Sequence, residues 1–253
     1  KVEDLKDTGY VTPKEMGQNM TANQIYESGK TIAGELTKIG INLNLAPVAD
    51  LASDQNPSYA MRCLGSDADG VADLLDDFVS GMREGGLSVT LKTFPGIGNV
   101  SADVTESIAE NTDSLMTIRD TNFVPYASGI QAGADCVMVS NAAYSKLTVK
   151  KVPAFMSQDI VTKLLREELG FDGIVMTSPL NDNVIENNYT NEFAVVEAVK
   201  AGCDLIVLPG NFKECYEALI TAVEEGRIDE KVINTSVRRI LQNKIQRGIL
   251  VLE

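Results

Sequence analysis

The stretch ELGFDGIVMTS, residues 168–178, sets the reading of the whole chain. A helical segment runs up to Gly170, and a short apolar run, Ile174 to Thr177, follows it. Glycine just past a helix end is the expected cap, because it enters the left-handed conformation without a Cβ clash. The same order recurs in KIGINLNLAPV (38–48), EGGLSVTLKTF (84–94), QAGADCVMVS (131–140) and KAGCDLIVLPG (200–210). The runs after the glycines are nearly all apolar rather than alternating, which fits parallel strands covered by helices.

The segments between these runs read as helices. Thr12-Pro13-Lys14-Glu15 places a cap residue before proline and starts a helix expected to reach about Lys38. Further helices are expected near 68–84, 117–132, 157–169, 191–201 and 211–226. Asp229 opens a last one, ending at Gly248. Its Val232, Ile233, Val237, Ile240, Leu241 and Ile245 recur every three to four residues and read as one buried stripe. Strict alternation of strand and helix predicts an α/β fold with a parallel sheet. Residues 1–253 read as one domain. A full eight-unit barrel takes ~250 residues, yet the pattern supplies about five strands. In such sheets the ligand lies at the carboxyl ends of the strands, so segments 49–67 and 95–116 should hold the site. Asp50, Lys92-Thr93, Ser140-Asn141, Thr177-Ser178 and Pro209 stand at those ends.

Composition narrows the chemistry. The 253 residues carry 22 basic and 36 acidic side chains, a formal net charge of −14, with no histidine and no tryptophan. Without histidine there is no Ser-His-Asp or Cys-His pair, no H-E-x-x-H zinc site and no imidazole shuttle. The acidic balance argues against nucleic acid and against an anionic membrane surface, and no apolar run approaches the length of a membrane span. Neither a metal nor a cofactor is called for. Cys63, Cys136, Cys203 and Cys215 lack C-x-x-C spacing and read as small buried hydrophobes. Tyr126, Tyr144, Tyr189 and Tyr216 read as helix or loop packing rather than sugar platforms. The chain starts at Lys1 and reads as processed, truncated or missing upstream sequence.

A family resemblance rests on GINLNLAPVADL, NPSYAMRCLGSD, LKTFPGIGNVSAD, PAFMSQDIVTKLLREELGFDGIVMTS and SVRRIL, in that order and spacing. Together they resemble the catalytic barrel of glycoside hydrolase family 3, in its bacterial β-N-acetylhexosaminidase-like branch. The resemblance covers almost all of the chain from about residue 12. It implies a TIM-like β/α barrel and a retaining glycosidase, in which a strand-end aspartate attacks the anomeric carbon and an Asp-His pair on a loop moves the proton. Such hydrolysis needs two groups flanking the bond. It also implies a bacterial protein, cytoplasmic or exported.

The catalytic positions depart from the family pattern. Where the family has K-H-F-P-G-H-G, this chain reads Lys92-Thr93-Phe94-Pro95-Gly96-Ile97-Gly98. The D-S-H proton-transfer motif reads Asp103-Val104-Thr105, and the M-x-H motif reads Met138-Val139-Ser140-Asn141. The nucleophile position holds Ser178, in Thr177-Ser178-Pro179-Leu180. A hydroxyl has no pKa near neutrality, and a serine without a base is a poor nucleophile. By contrast, Asp50, Arg62, Lys92 and Asp103 match sugar-site positions, and Asn141 stands beside them as a further expected contact.

Three functions follow as expectations. The first is a non-catalytic barrel that keeps a pocket for an amino sugar or cell-wall fragment, contacted by Asp50, Arg62, Lys92, Asp103 and Asn141. The second is a working glycosidase in which Asp182 and Glu106 substitute for the lost groups. The third is an assembly module with a relic pocket. About three family strands before the first run are not found, so the barrel reads as incomplete. Its two open edges then require covering by loops, an upstream segment or a second copy of the chain. Segment 1–12 shows no strand pattern.

Overall fold

The computed structural model describes residues 11–251, so segment 1–12 lies almost wholly outside the described residues. Thr12 caps α1 (Pro13–Asn19), its hydroxyl accepting the Glu15 N–H while the Glu15 carboxylate accepts the Thr12 N–H. The single helix expected through Lys38 is in fact two. Thr21 makes a second reciprocal cap with Gln24 and restarts the chain as α2 (Ala22–Lys38). β1 (Leu43–Asn44), α3 (Pro57–Ala60), α4 (Ala68–Glu84) and β2 (Ser88–Phe94) follow. Then come β3 (Glu110–Asn111), α5 (Leu115–Asp120), α6 (Phe123–Gln131), β4 (Cys136–Val139) and β5 (Ala143–Tyr144). A 3₁₀ turn (Ala154–Met156), a π-type helix (Asp159–Glu168), β6 (Ile174–Thr177), α7 (Asn183–Glu186), α8 (Asn191–Ala201), α9 (Phe212–Glu224) and α10 (Glu230–Gln246) complete it. The helix expected over 117–132 is split into α5 and α6, with Thr121 between them outside helical geometry.

The sheet is parallel, in the order β1-β2-β4-β6. The fifth run adds one bridge, Met176 to Leu205, so the five apolar runs stand side by side in chain order. This is the α/β arrangement expected, an arc of a barrel rather than a closed one among the described residues. β4 and β6 are buried along their whole length, as runs covered on both faces must be. A small parallel pair, β3 with β5, sits apart from the arc and has no sequence signal, each strand being two residues long. One hydrophobic cluster runs from Met16 to Ile228. All four cysteines are free and buried, and burial pushes the Cys63 and Cys136 thiols up to about 12, where they are unreactive.

The last helix departs from expectation. Val232, Val237, Leu241 and Ile245 are exposed by a third or more, and only Ile233 and Ile240 of the apolar stripe pack inward. α10 is seated instead by a polar row at helical spacing. Ser236 donates to Asp204 at 2.7 Å, and Arg239 reaches the same carboxylate at 3.2 Å. Asn243 donates to Asp135 at 3.0 Å, and Arg247 to the same group at 2.6 Å. Asp135 and Asp204 lie at the entering ends of β4 and of the Leu205 run. They are nearly inaccessible, so they must be paired, and the helix supplies the partners.

Candidate functional site

The opposite, carboxyl ends of the strands carry the candidate site. Asp50 is the most connected group there. Its Oδ1 accepts from the Thr93 N–H at 3.0 Å and the Tyr126 hydroxyl at 2.8 Å. Its Oδ2 accepts from the Tyr59 and Thr93 hydroxyls, each at 2.8 Å, and from the Ile97 N–H at 3.2 Å. Burial raises its pKa, and the donors from Thr93, Tyr126, Tyr59 and Ile97 oppose that rise. Its exposure is 0%, so its oxygens are enclosed by these donors, which form a clamp beside the hollow. Tyr126, read from sequence as packing, is one jaw of this clamp. A buried tyrosine hydroxyl needs a partner, and that was the available signal.

Above the clamp, the chain turns sharply through Phe94-Pro95-Gly96. Gly96 has φ +118, and a Cβ there would stand 2.1 Å from the Asn122 side-chain nitrogen, so only glycine fits. The turn delivers segment 97–105 over a hollow of about 450 Å³ lined by Asn56, Tyr59, Arg62, Ile97, Asp103 and Thr105. The Arg62 guanidinium lies over the Tyr59 ring, 5.3 Å from its centroid. Lys92 is half-buried, and burial, then the charge of Arg62, press its pKa down to about 8 against the pull of Asp50. Neither cation has a carboxylate within ion-pair distance among the described residues. The Asp103 carboxylate accepts from the Thr105 N–H at 2.8 Å and hydroxyl at 2.7 Å, which holds it below the usual range.

A second wall comes from the segment after β6. The Val184 N–H donates to the Thr105 carbonyl at 2.8 Å, tying this segment to the 97–105 loop. Asn183 donates to Glu106 at 2.9 Å. Asn141 is 1% exposed and donates to Asp182 at 2.8 Å, while its own Oδ1 has no partner. Burial raises the Asp182 pKa, the Asn141 bond opposes that, and the charges of Asp103 and Glu106 add to the rise. Of the sequence-predicted residues, Arg62 and Asp103 line the hollow, Lys92 feels the Arg62 charge, and Asn141, Asp182 and Glu106 meet through the segment after β6, where Asp182 also feels Asp103. Ser178 is 6% exposed, and its hydroxyl donates to the Val139 carbonyl at 2.9 Å. Among the described residues no three carboxylates or thiols are grouped to hold a metal ion, and no helix is long and apolar enough to cross a membrane.

Comparisons with known proteins agree with this fold. The family described as "Glycosyl hydrolase family 3 N terminal domain" matches residues 2–243. A beta-hexosaminidase of Xylella fastidiosa (strain M23) is 32% identical over 183 residues, 72% of this chain and 54% of that protein. A beta-N-acetylglucosaminidase/beta-glucosidase of Cellulomonas fimi is 28% identical over 250 residues, 92% of this chain and 44% of that protein. The chain therefore spans about half the length of these relatives. Among solved structures, a family 3 beta-N-acetylglucosaminidase from Paenibacillus superposes with a TM-score of 0.90 at 33% identity, covering 95% of this chain and 48% of that one. A beta-N-acetylhexosaminidase from Beutenbergia cavernae superposes with a TM-score of 0.84 at 30% identity, covering 94% of this chain and 71% of that one. The chain belongs to glycosyl hydrolase family 3, and its matched stretch is that family's N-terminal, barrel-type domain.

Proposed function

We propose that this chain acts as one domain that binds an amino sugar or a glycan bearing one, and that it does not carry out double-displacement hydrolysis. The observation that carries the reading is the state of Ser178. A nucleophile needs a base to take its proton and a free path to the anomeric carbon. The Ser178 hydroxyl instead donates to the Val139 carbonyl. At the proton-transfer position, the Thr105 hydroxyl donates to Asp103, and neither group titrates near neutrality. What remains suits binding. Arg62, without a carboxylate partner among the described residues, brings donors to the hollow, Asp103 brings acceptors, and Lys92 lies close enough to feel the Arg62 charge. The names of the relatives, beta-hexosaminidase and beta-N-acetylglucosaminidase, support an N-acetylated amino sugar as the ligand class.

The test pairs binding with turnover. N-acetylglucosamine should raise the melting temperature in step with RT ln(1 + [L]/Kd), while a chromogenic N-acetylglucosaminide should remain uncleaved. The double variant Ser178→Asp with Thr105→His should then gain turnover. Hydrolysis by the unaltered protein sinks the non-catalytic half of the reading; absence of stabilisation by any amino sugar sinks the binding half.

One observation favours a second reading. A carboxyl whose pKa is raised is suited to give up a proton as a general acid, and Asp182 is placed that way by burial and by Asp103 and Glu106. If Asp182 works as an acid with Glu106 near it, hydrolysis by the unaltered protein should vanish in Asp182→Asn.

A further inference from the structure

A second hollow, of about 420 Å³, lies between residues 148–159 and one side of α8, with Tyr189 just before that helix. Its volume is within the ~300–1,000 Å³ range of ligand pockets. Its walls come from the segments that leave the carboxyl ends of β4 and β6. These are the same segments that bring Asn141 and Asp182 to the candidate site. Along one side, the Tyr189 and Phe193 rings stack within 6° of parallel, with centroids 5.9 Å apart. Phe193 is 50% exposed although it follows a Thr190 cap that fixes it at the first turn of α8. The Tyr189 hydroxyl has no hydrogen-bond partner among the described residues. At the rim, Lys150 has no carboxylate partner among them, and Gln158 uses only its amide N–H group, toward the Lys200 carbonyl at 2.8 Å. The hollow thus joins a stacked aromatic pair, half-exposed at Phe193, to uncommitted donors and acceptors at its edge.

That combination selects a ligand. A pyranose of gluco configuration carries its substituents equatorially. Its axial C–H bonds form an apolar face that meets the electron-rich face of an aromatic ring, while its hydroxyls point to the rim. We infer that the Tyr189–Phe193 hollow is a second sugar subsite, binding a gluco-configured unit of an oligosaccharide apart from the Arg62–Asp103 hollow. The choice of ligand rests on the carbohydrate reading above, but the subsite does not depend on whether the first hollow is occupied.

The absence of tryptophan makes the test direct. Phe193→Trp keeps an aromatic ring in place and gives a fluorophore whose signal arises only there. Titration with β-1,4-linked N-acetylglucosamine hexasaccharide should give a saturable change in its emission. A galacto-configured oligosaccharide, whose axial hydroxyl interrupts one of the two C–H faces, should give a weaker response. In calorimetry, Phe193→Ala should weaken hexasaccharide binding about tenfold and leave N-acetylglucosamine binding unchanged. Lys92→Met should do the reverse to the monosaccharide and leave the Phe193→Trp signal in place. A silent tryptophan with every sugar, in a protein that still binds the monosaccharide, overturns the subsite alone. A tryptophan response in a protein that binds no monosaccharide keeps the subsite and overturns the first-hollow reading. If Phe193→Ala changes only the sedimentation of the protein, the hollow is a seat for a second copy and the inference fails.

Discussion

Replacing Lys92 with methionine is expected to stabilise the fold and abolish monosaccharide binding together. The ammonium group is half-buried at the end of β2, faces the Arg62 charge, and has no carboxylate partner among the described residues. Its pKa falls from 10.5 to about 8, with burial as the main cause. At 1.36 kcal/mol per pH unit the difference amounts to about 3 kcal/mol against the charged form at neutral pH. Water at the exposed part of the side chain relieves some of this, so Lys92→Met, similar in length and uncharged, should gain about 1–3 kcal/mol at pH 7. The sign with pH follows from proton counting. Below pH 8 both folded and unfolded chains hold the proton, and the cost is present in full. Between about 8 and 10.5 the unfolded chain still binds it and the folded one does not, so stability from this group rises with pH. Urea unfolding at pH 7 and pH 10 tests this: the advantage of Lys92→Met should narrow at the higher pH. A variant less stable than the parent at pH 7, or an advantage that ignores pH, refutes the argument that Lys92 is kept at a cost to the fold.

The seat of α10 and the clamp beside the hollow give two more expectations. Asp204→Ala strands Arg166, Arg239 and the Val175 N–H around a fully buried gap, and should cost about 3–5 kcal/mol. Asp172→Ala, removing a partner of Arg239 that is 94% exposed, should change stability by less than about 0.5 kcal/mol; chemical denaturation of the pair checks both. Tyr126→Phe removes one donor from the buried Asp50 and should destabilise by about 1.5–3 kcal/mol. Its monosaccharide affinity should fall as well, because the clamp holds Thr93 and Tyr59 beside the hollow; unfolding and calorimetry on one preparation separate the two effects.

The order of apolar runs was legible in the chain because parallel strands buried on both faces leave an unbroken signature, and glycine follows each helix that leads into a run. Helix breaks at Thr21 and Thr121 were less visible: the first depends on a cap that also suits a helix interior, the second on local backbone geometry. The stripe on α10 misled for a clearer reason. Periodicity reports that a helix has two faces, not which one docks. Here the docking face is the row Ser236, Arg239, Asn243 and Arg247, which answers two buried carboxylates elsewhere in the chain. At the candidate site, residue types were readable but orientations were not. Ser178 and Thr105 were found by position, whereas the hydrogen bonds that occupy their hydroxyls depend on the Val139 carbonyl and the Asp103 carboxylate. Asp50 was placed correctly at a strand end, yet its burial follows from three hydroxyls on separate segments converging on it.

The Asp50 clamp separates the architecture of this end of the molecule from its reactivity. Its oxygens require donors, and nothing in that requirement specifies imidazole. Thr93 stands where the family motif has a histidine, and supplies both a hydroxyl and a main-chain N–H. A side chain that never ionises therefore completes this scaffold. The scaffold is then indifferent to the protonation events that an imidazole would have brought at neutral pH. In such a framework, the groups that hold the hollow's shape form a set of their own, fixed by what Asp50 accepts rather than by what a ligand would need.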